Sequence, residues 1–119
     1  MTVILPISIT HLKLTILLQE GLALDSSDLN AVFTLANVKL EMGDADQAIP
    51  LYERVLQDGK STDTLAMLNL SVALARTKQL TKAKGYLLRV LVMNDLEPHH
   101  LAEAAHLLGT TLHKRNQSC

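Results

Sequence analysis

Two sets of residue pairs recur along this chain at nearly one interval, and that recurrence constrains the fold more than any other feature. The first series is Leu35-Ala36, Leu70-Ser71 and Leu108-Gly109, with separations of 35 and 38 residues. The second series is Gly21-Leu22, Val55-Leu56 and Val90-Leu91, with separations of 34 and 35 residues. Two interleaved series with one period indicate repeated supersecondary units, each of which buries an apolar face against its neighbour.

The segments that carry these pairs have helical periodicity. From Asp44 to Asp58 the apolar residues recur at the i, i+3, i+4, i+7 spacing of one helix face. Gly43 is typical of a helix end, and Asp44 is typical of the start of the next helix, with Gln47 placed three residues later as in a capping box. Pro50 cannot donate a backbone hydrogen bond, so we expect a bend there or a later helix start. The same reasoning predicts six helices and no sheet: Ile9 to Leu24, Leu29 to Met42, Asp44 to Asp58, Thr64 to Thr77, Leu80 to Met93 and Pro98 to Lys114.

Composition limits the kinds of partner. The chain has 119 residues, of which 48% are hydrophobic, enough for one domain with a core. Its formal net charge of −1 argues against a general nucleic-acid binder and against a polybasic membrane binder. We therefore expect a protein or peptide partner, with no nucleic acid and no membrane. The aromatic residues Phe33, Tyr52 and Tyr86 are too few for a base-stacking platform.

The two ends of the sequence raise separate questions. Cys119 is the only cysteine and cannot form an internal disulfide, which favours a reducing, cytoplasmic location. Met1 to Leu24 is apolar, but it lacks a charged start and Pro6 interrupts it, so we expect a buried helix or a frayed leader rather than a cleaved signal. We predict a leader or cap over residues 1–10, a helical repeat domain over 11–115 and a frayed tail over 116–119.

Two stretches resemble the tetratricopeptide repeat. The better copy runs from Leu29 to Thr62 and the more degenerate one from Thr64 to about Glu97. The first copy has Val32, Leu35, Ala36, Gly43, Asp44, Ala48, Tyr52, Val55 and Leu56 in matching places. The second has Met67, Leu70, Ser71, Leu74, Ala83, Leu87, Val90 and Leu91. The departures are Lys60 and Asp95 in place of the usual Pro, Lys39 at a normally apolar place, and Lys78 in place of the turn Gly.

The resemblance implies an all-α, short right-handed α-solenoid of about three helical hairpins. Small residues at Ala36, Ser71 and Gly109 are expected to let the helices of a hairpin cross closely, with Ala48 and Ala83 receiving the partner helix. The ends fall in mid-repeat, because Leu12 to Leu24 resembles a second helix and Ala102 to Lys114 a first helix. An apolar helix without its partner would either expose Leu and Ile or pack against another protein, so we expect self-association. A helical-bundle subunit of a larger assembly is the alternative.

We predict no enzyme, no cofactor and no metal site. His99, His106 and His113 lie about 10.5 Å apart along a helix, at 1.5 Å rise per residue, which is too far to share one ion. The sequence has no Gly-rich phosphate loop, no paired-carboxylate signature and no nucleophile elbow.

The resemblance instead places binding in a concave groove lined by the first helices, as in a protein-interaction module or scaffold. Our candidate groove residues are Phe33, Asn37, Leu40, Leu68, Asn69, Val72, Arg76 and His106. Asn37 and Asn69 stand out, because an Asn offers both a donor and an acceptor to a peptide amide; a hydrogen bond within the groove is an equal alternative. Phe33, Glu103 and Leu107 occupy places where relatives that bind chaperone carboxylates carry basic residues, so such a clamp is not supported.

Overall fold

A computed structural model describes residues 9–24, 28–57 and 63–117, with side chains at 12–19, 28–57 and 63–113. These residues form six helices and no strand: α1 (Ile9–Leu24), α2 (Leu29–Glu41), α3 (Ala45–Gln57), α4 (Thr64–Arg76), α5 (Leu80–Met93) and α6 (Pro98–Gln117). The predicted all-α fold is confirmed. The predicted leader lies largely outside the described residues, and within the predicted tail α6 continues to Gln117.

The first helices of the two full repeats begin in the same way. Asp28 and Asp63 are N-caps, and their side chains accept hydrogen bonds from the backbone N–H of Ala31 at 3.1 Å and of Ala66 at 3.0 Å. Each cap satisfies one of the N–H groups that a helix start leaves unpaired. Equivalent caps 35 residues apart fix where each repeat starts.

The two hairpin turns also match. Gly43 has φ +90° and Lys78 has φ +65°, both in the left-handed region. Asp44 N–H donates to the Lys39 carbonyl at 2.9 Å, and Gln79 N–H donates to the Leu74 carbonyl at 2.8 Å. A backbone hydrogen bond of this kind is typical of a helix end at which the residue after the C-cap has a left-handed conformation. Lys78 therefore adopts a conformation for which glycine is better suited.

Each helix packs on the next one along the chain, and the additional contacts join α2 to α4 and α4 to α6. One core cluster contains Ala36, Ala48, Tyr52, Leu70, Leu74 and Ala83, and a second contains Met67, Leu68, Leu87, Val90 and Ala104. Ala48 and Ala83 are both 0% exposed, as predicted from the close approach that the hairpins need. The clusters follow one another along the stack, as expected of a solenoid in which each unit contacts its neighbours.

Two local predictions were wrong. The later start expected for the helix that contains Pro50 is wrong, since α3 runs from Ala45 through the exposed Pro50; the alternative expectation, a bend at Pro50, stays a prediction. Gly109 does not sit at a close helix crossing: it is exposed, and a Cβ added there would meet nothing within 4 Å. The residues Ala36 and Ser71 at the equivalent places are fully buried because α3 and α5 cover them, whereas no described helix covers Gly109.

Candidate functional site

Three polar side chains meet where α2, α3 and α4 come together. Asn69 on α4 donates from Nδ2 to Oδ1 of Asn37 on α2, at 3.0 Å. Tyr52 on α3 donates its hydroxyl proton to the same Asn37 oxygen. Asn37 and Asn69 are half-buried, while Tyr52 is fully buried. The two Asn that the sequence singled out are therefore brought together, and they are joined to the core.

Tyr52 fixes the geometry of this cluster. Its ring contacts the Phe33 ring edge-on, with centroids 6.1 Å apart and ring planes at 65°. Aromatic pairs favour this arrangement. Burial raises the pKa of the Tyr52 hydroxyl above its ordinary value, so this group stays a proton donor. Because the ring is held on one side and the hydroxyl on the other, the Asn37 carbonyl oxygen has a fixed position.

The hydrogen bonds leave part of each amide unused. Asn37 Oδ1 accepts two protons, which fills its two lone pairs. The Asn37 Nδ2 group and the Asn69 Oδ1 atom make no hydrogen bond with the described residues. One donor group and one acceptor atom thus remain available on two amides that are joined to each other, the combination that a peptide amide requires.

Arg76 closes one end of this surface. Its guanidinium donates to the Leu40 carbonyl at 3.1 Å, across the last turns of α2 and α4. The Leu40 carbonyl also accepts the N–H of Gly43. Arg76 therefore ties two consecutive first helices together, and the half-buried Leu40 and Val72 lie within the same two helices.

A comparison with protein-family models matches residues 39–102, more than half of the chain, to the tetratricopeptide repeat. The chain belongs to the tetratricopeptide repeat family. The resemblance read from the sequence is thus confirmed. Repeats of this family generally mediate protein–protein interaction and are typically not enzymes, and the chain gave no match to the curated proteins searched.

In this tetratricopeptide repeat domain two of the candidate groove residues stand apart from the cluster. Leu68 is 0% exposed and packs in the second core cluster, so its side chain offers no surface to a ligand. His106 on α6 is exposed, and its backbone carbonyl accepts the hydroxyl proton of Thr110 at 3.0 Å. No hydrogen bond among the described residues joins His106 to Asn37 or Asn69, which lie on α2 and α4.

Tyr52 is the functional candidate that the sequence analysis missed. Its matching place in the repeat pattern gives it a packing role, and Tyr52 is fully buried. Its hydroxyl was the available signal, because a buried Tyr hydroxyl needs a hydrogen-bond partner and the half-polar groove is the nearest source of one.

The tetratricopeptide repeat domain also has a cleft between α3 and α5. It is lined by Glu53, Leu56, Gln57, Tyr86 and Arg89. The Arg89 guanidinium lies over the Tyr86 ring, 5.6 Å from its centroid. None of the described hydrogen bonds joins side chains that line this cleft, in contrast to the bonds among Asn37, Tyr52 and Asn69.

The described part of the chain contains no group of three or more His, Cys, Asp or Glu residues placed to hold a metal ion. His99 and His100 lie close, with ring centroids 4.0 Å apart, but His99 pairs with Glu97 at 3.5 Å. None of the helices as described is long and apolar enough to cross a membrane.

Proposed function

We propose that this domain binds an extended peptide or a helix of a protein partner in the groove between α2 and α4. The proposal rests on one observation: the Asn37 and Asn69 amides use only part of their hydrogen-bonding groups within the described protein. The Asn37 Nδ2 group and the Asn69 Oδ1 atom have no hydrogen-bond partner among the described residues, and neither is a fully buried atom, so both are open to a ligand. A ligand backbone amide would pair with both.

The surroundings support recognition by shape as well as by hydrogen bonds. Phe33, Leu40 and Val72 are half-buried apolar side chains on the same two helices. Apolar surface with a few fixed polar groups is typical of a ligand site. Since Tyr52 holds the Asn37 amide and Arg76 joins the ends of α2 and α4, little conformational freedom is lost when a ligand binds.

Site-directed crosslinking tests the proposal. Replacing the only native thiol by Cys119→Ser permits a photo-crosslinker to be attached at a single new cysteine. Thr34→Cys places it on the exposed part of α2 beside the groove, and Gly85→Cys places it on the exposed side of α5. The probe is a peptide selected against the domain from a random library. We expect crosslinking from Thr34→Cys, and crosslinking from Gly85→Cys alone would contradict the proposal.

A second candidate function is self-association through α1. Leu12, Ile16 and Leu17 on this helix are 46%, 54% and 64% exposed. Exposed apolar side chains that cluster on one helix mark interaction surfaces. Among the described helices, α1 packs on α2 alone.

A further inference from the structure

Helix α6 aligns with α2 and α4, the first helices of the two full repeats. It exposes a face that α2 and α4 bury. Val32 on α2 and Met67 on α4 are 0% and 1% exposed, whereas the equivalent residue on α6, Ala105, is exposed. One turn further on, Ala36 and Ser71 are fully buried and Gly109 is exposed, and Leu112 follows on the same face at 37%. In the two full repeats this face is covered by α3 and α5.

Helix α1 corresponds to those covering helices. The pairs Gly21-Leu22, Val55-Leu56 and Val90-Leu91 define the register, which aligns Leu18 with Tyr52 and Leu87. Tyr52 and Leu87 are fully buried against their own first helices, whereas Leu18 is only half-buried. In the same register Leu17 aligns with the half-buried Leu51 and Tyr86, but Leu17 is 64% exposed. The face that α3 and α5 turn toward a first helix is therefore left open on α1.

The two open faces match in side-chain size. In the full repeats a small residue of the second helix meets a small residue of the first, as Ala48 meets Ala36 in the first core cluster. At the corresponding places α1 carries the larger Leu14, and α6 carries Gly109, which has open space around its Cα. The larger Leu14 would compensate for the smaller Gly109, so the total side-chain volume at such a contact would stay close to that of the full repeats. Tightly packed interfaces need this match in volume.

We propose that the chain assembles head to tail, with α1 of one copy covering the open α6 face of a second copy and completing a hairpin between them. The contact would continue the alternating helix interfaces of the stack, since α6 would then contact a second helix as α2 contacts α3 and α4 contacts α5. Because the two faces are different, such contacts are heterologous and add copies in a row. The inference rests on self-association, the second candidate function above.

Sedimentation velocity of the 119-residue chain over a wide concentration range tests this arrangement. We expect the average mass of the unmodified protein to rise beyond that of a dimer. Leu17→Glu on α1 or Gly109→Glu on α6 would bury an unpaired carboxylate in the contact, raising the dissociation constant by at least about tenfold. Each variant keeps one intact face, so an equimolar mixture of the two should form a one-to-one heterodimer and nothing larger.

Two control variants introduce a glutamate elsewhere. Lys13→Glu alters an exposed residue of α1 that aligns with the exposed Gln47 and Lys82, and Gly85→Glu alters an exposed glycine of α5 with open space around it. Both controls should associate like the unmodified protein, and circular dichroism melting should show all four variants folded. Association that survives Gly109→Glu, or a mixture that stays monomeric, overturns the head-to-tail arrangement while leaving self-association standing. A monomer at every concentration overturns both.

Discussion

Asn69 Nδ2 lies 3.0 Å from Asn37 Oδ1, so a hydrogen bond joins the first helices of two consecutive repeats across 32 residues of sequence. The buried Tyr52 hydroxyl donates to the same oxygen from the intervening helix. This oxygen therefore couples the half-buried Asn69 to the buried Tyr52, so a substitution at one of these residues should affect the other.

That coupling predicts a non-additive pair of substitutions. Asn37→Ala leaves the Tyr52 hydroxyl without its acceptor and should lower the free energy of unfolding by about 1 to 3 kcal/mol. Tyr52→Phe removes the hydroxyl and should cost about 1 kcal/mol. Because both remove one interaction, the double variant should lose less than the sum in urea unfolding. Strict additivity would mean that the Tyr52 hydroxyl and Asn37 do not interact.

Stability at alkaline pH should depend on Tyr52. Burial raises the pKa of its hydroxyl in the folded state, while the unfolded chain has a tyrosine pKa of about 10. The folded state then binds this proton more tightly, so the contribution is complete below about pH 10 and is lost as pH rises further. Urea unfolding across this range should show a steeper fall for the unmodified protein than for Tyr52→Phe. Parallel pH curves would argue against a buried hydroxyl.

Ala48→Leu should destabilise the domain by about 1 to 3 kcal/mol through overpacking, since Ala48 is fully buried where α2 and α3 cross. Thermal melting followed by circular dichroism measures the effect. Ala102→Leu enlarges an exposed alanine of α6 by the same amount and serves as the control. An unchanged melting midpoint for Ala48→Leu would mean that the repeat register is misassigned.

Lys78→Gly should stabilise the domain by about 1 kcal/mol, because Lys78 sits at φ +65° at a hairpin turn. Gly43→Ala at the equivalent turn should destabilise it by about 1 to 2 kcal/mol. Lys78→Ala removes the side chain without freeing the backbone, so it should leave urea stability near that of the unmodified protein. If Lys78→Ala stabilised as much as Lys78→Gly, the side chain and not the backbone would be responsible.

Local signals predicted the fold well. The turn at Gly43-Asp44 and the helical spacing of apolar residues predicted the helix ends, which agree with the observed ones to within a few residues. The position of Lys78 was recognisable as a turn glycine from the repeat period alone, and its positive φ bears this out.

The site was harder to predict, because it depends on which helices lie next to each other. Asn37 could be placed in the groove from the repeat, but its bonds to Tyr52 and Asn69 come from three different helices. Gly109 has the sequence context of a buried crossing, yet it is exposed because no described helix covers it. Burial at a repeat position is a property of the neighbouring unit as much as of the residue.

The most direct test of the groove is a calorimetric titration of the selected peptide against two sets of variants. Asn37→Ala/Asn69→Ala removes both groove amides, and Tyr52→Phe accompanies it to separate loss of the hydroxyl from loss of the amides. Glu53→Ala/Arg54→Ala/Lys84→Ala alters the second helices instead. We predict binding at least about tenfold weaker, or about 1.4 kcal/mol, for the double Asn variant at unchanged helical circular dichroism, with full affinity for the second-helix variant. Full affinity in the double Asn variant would contradict the groove assignment.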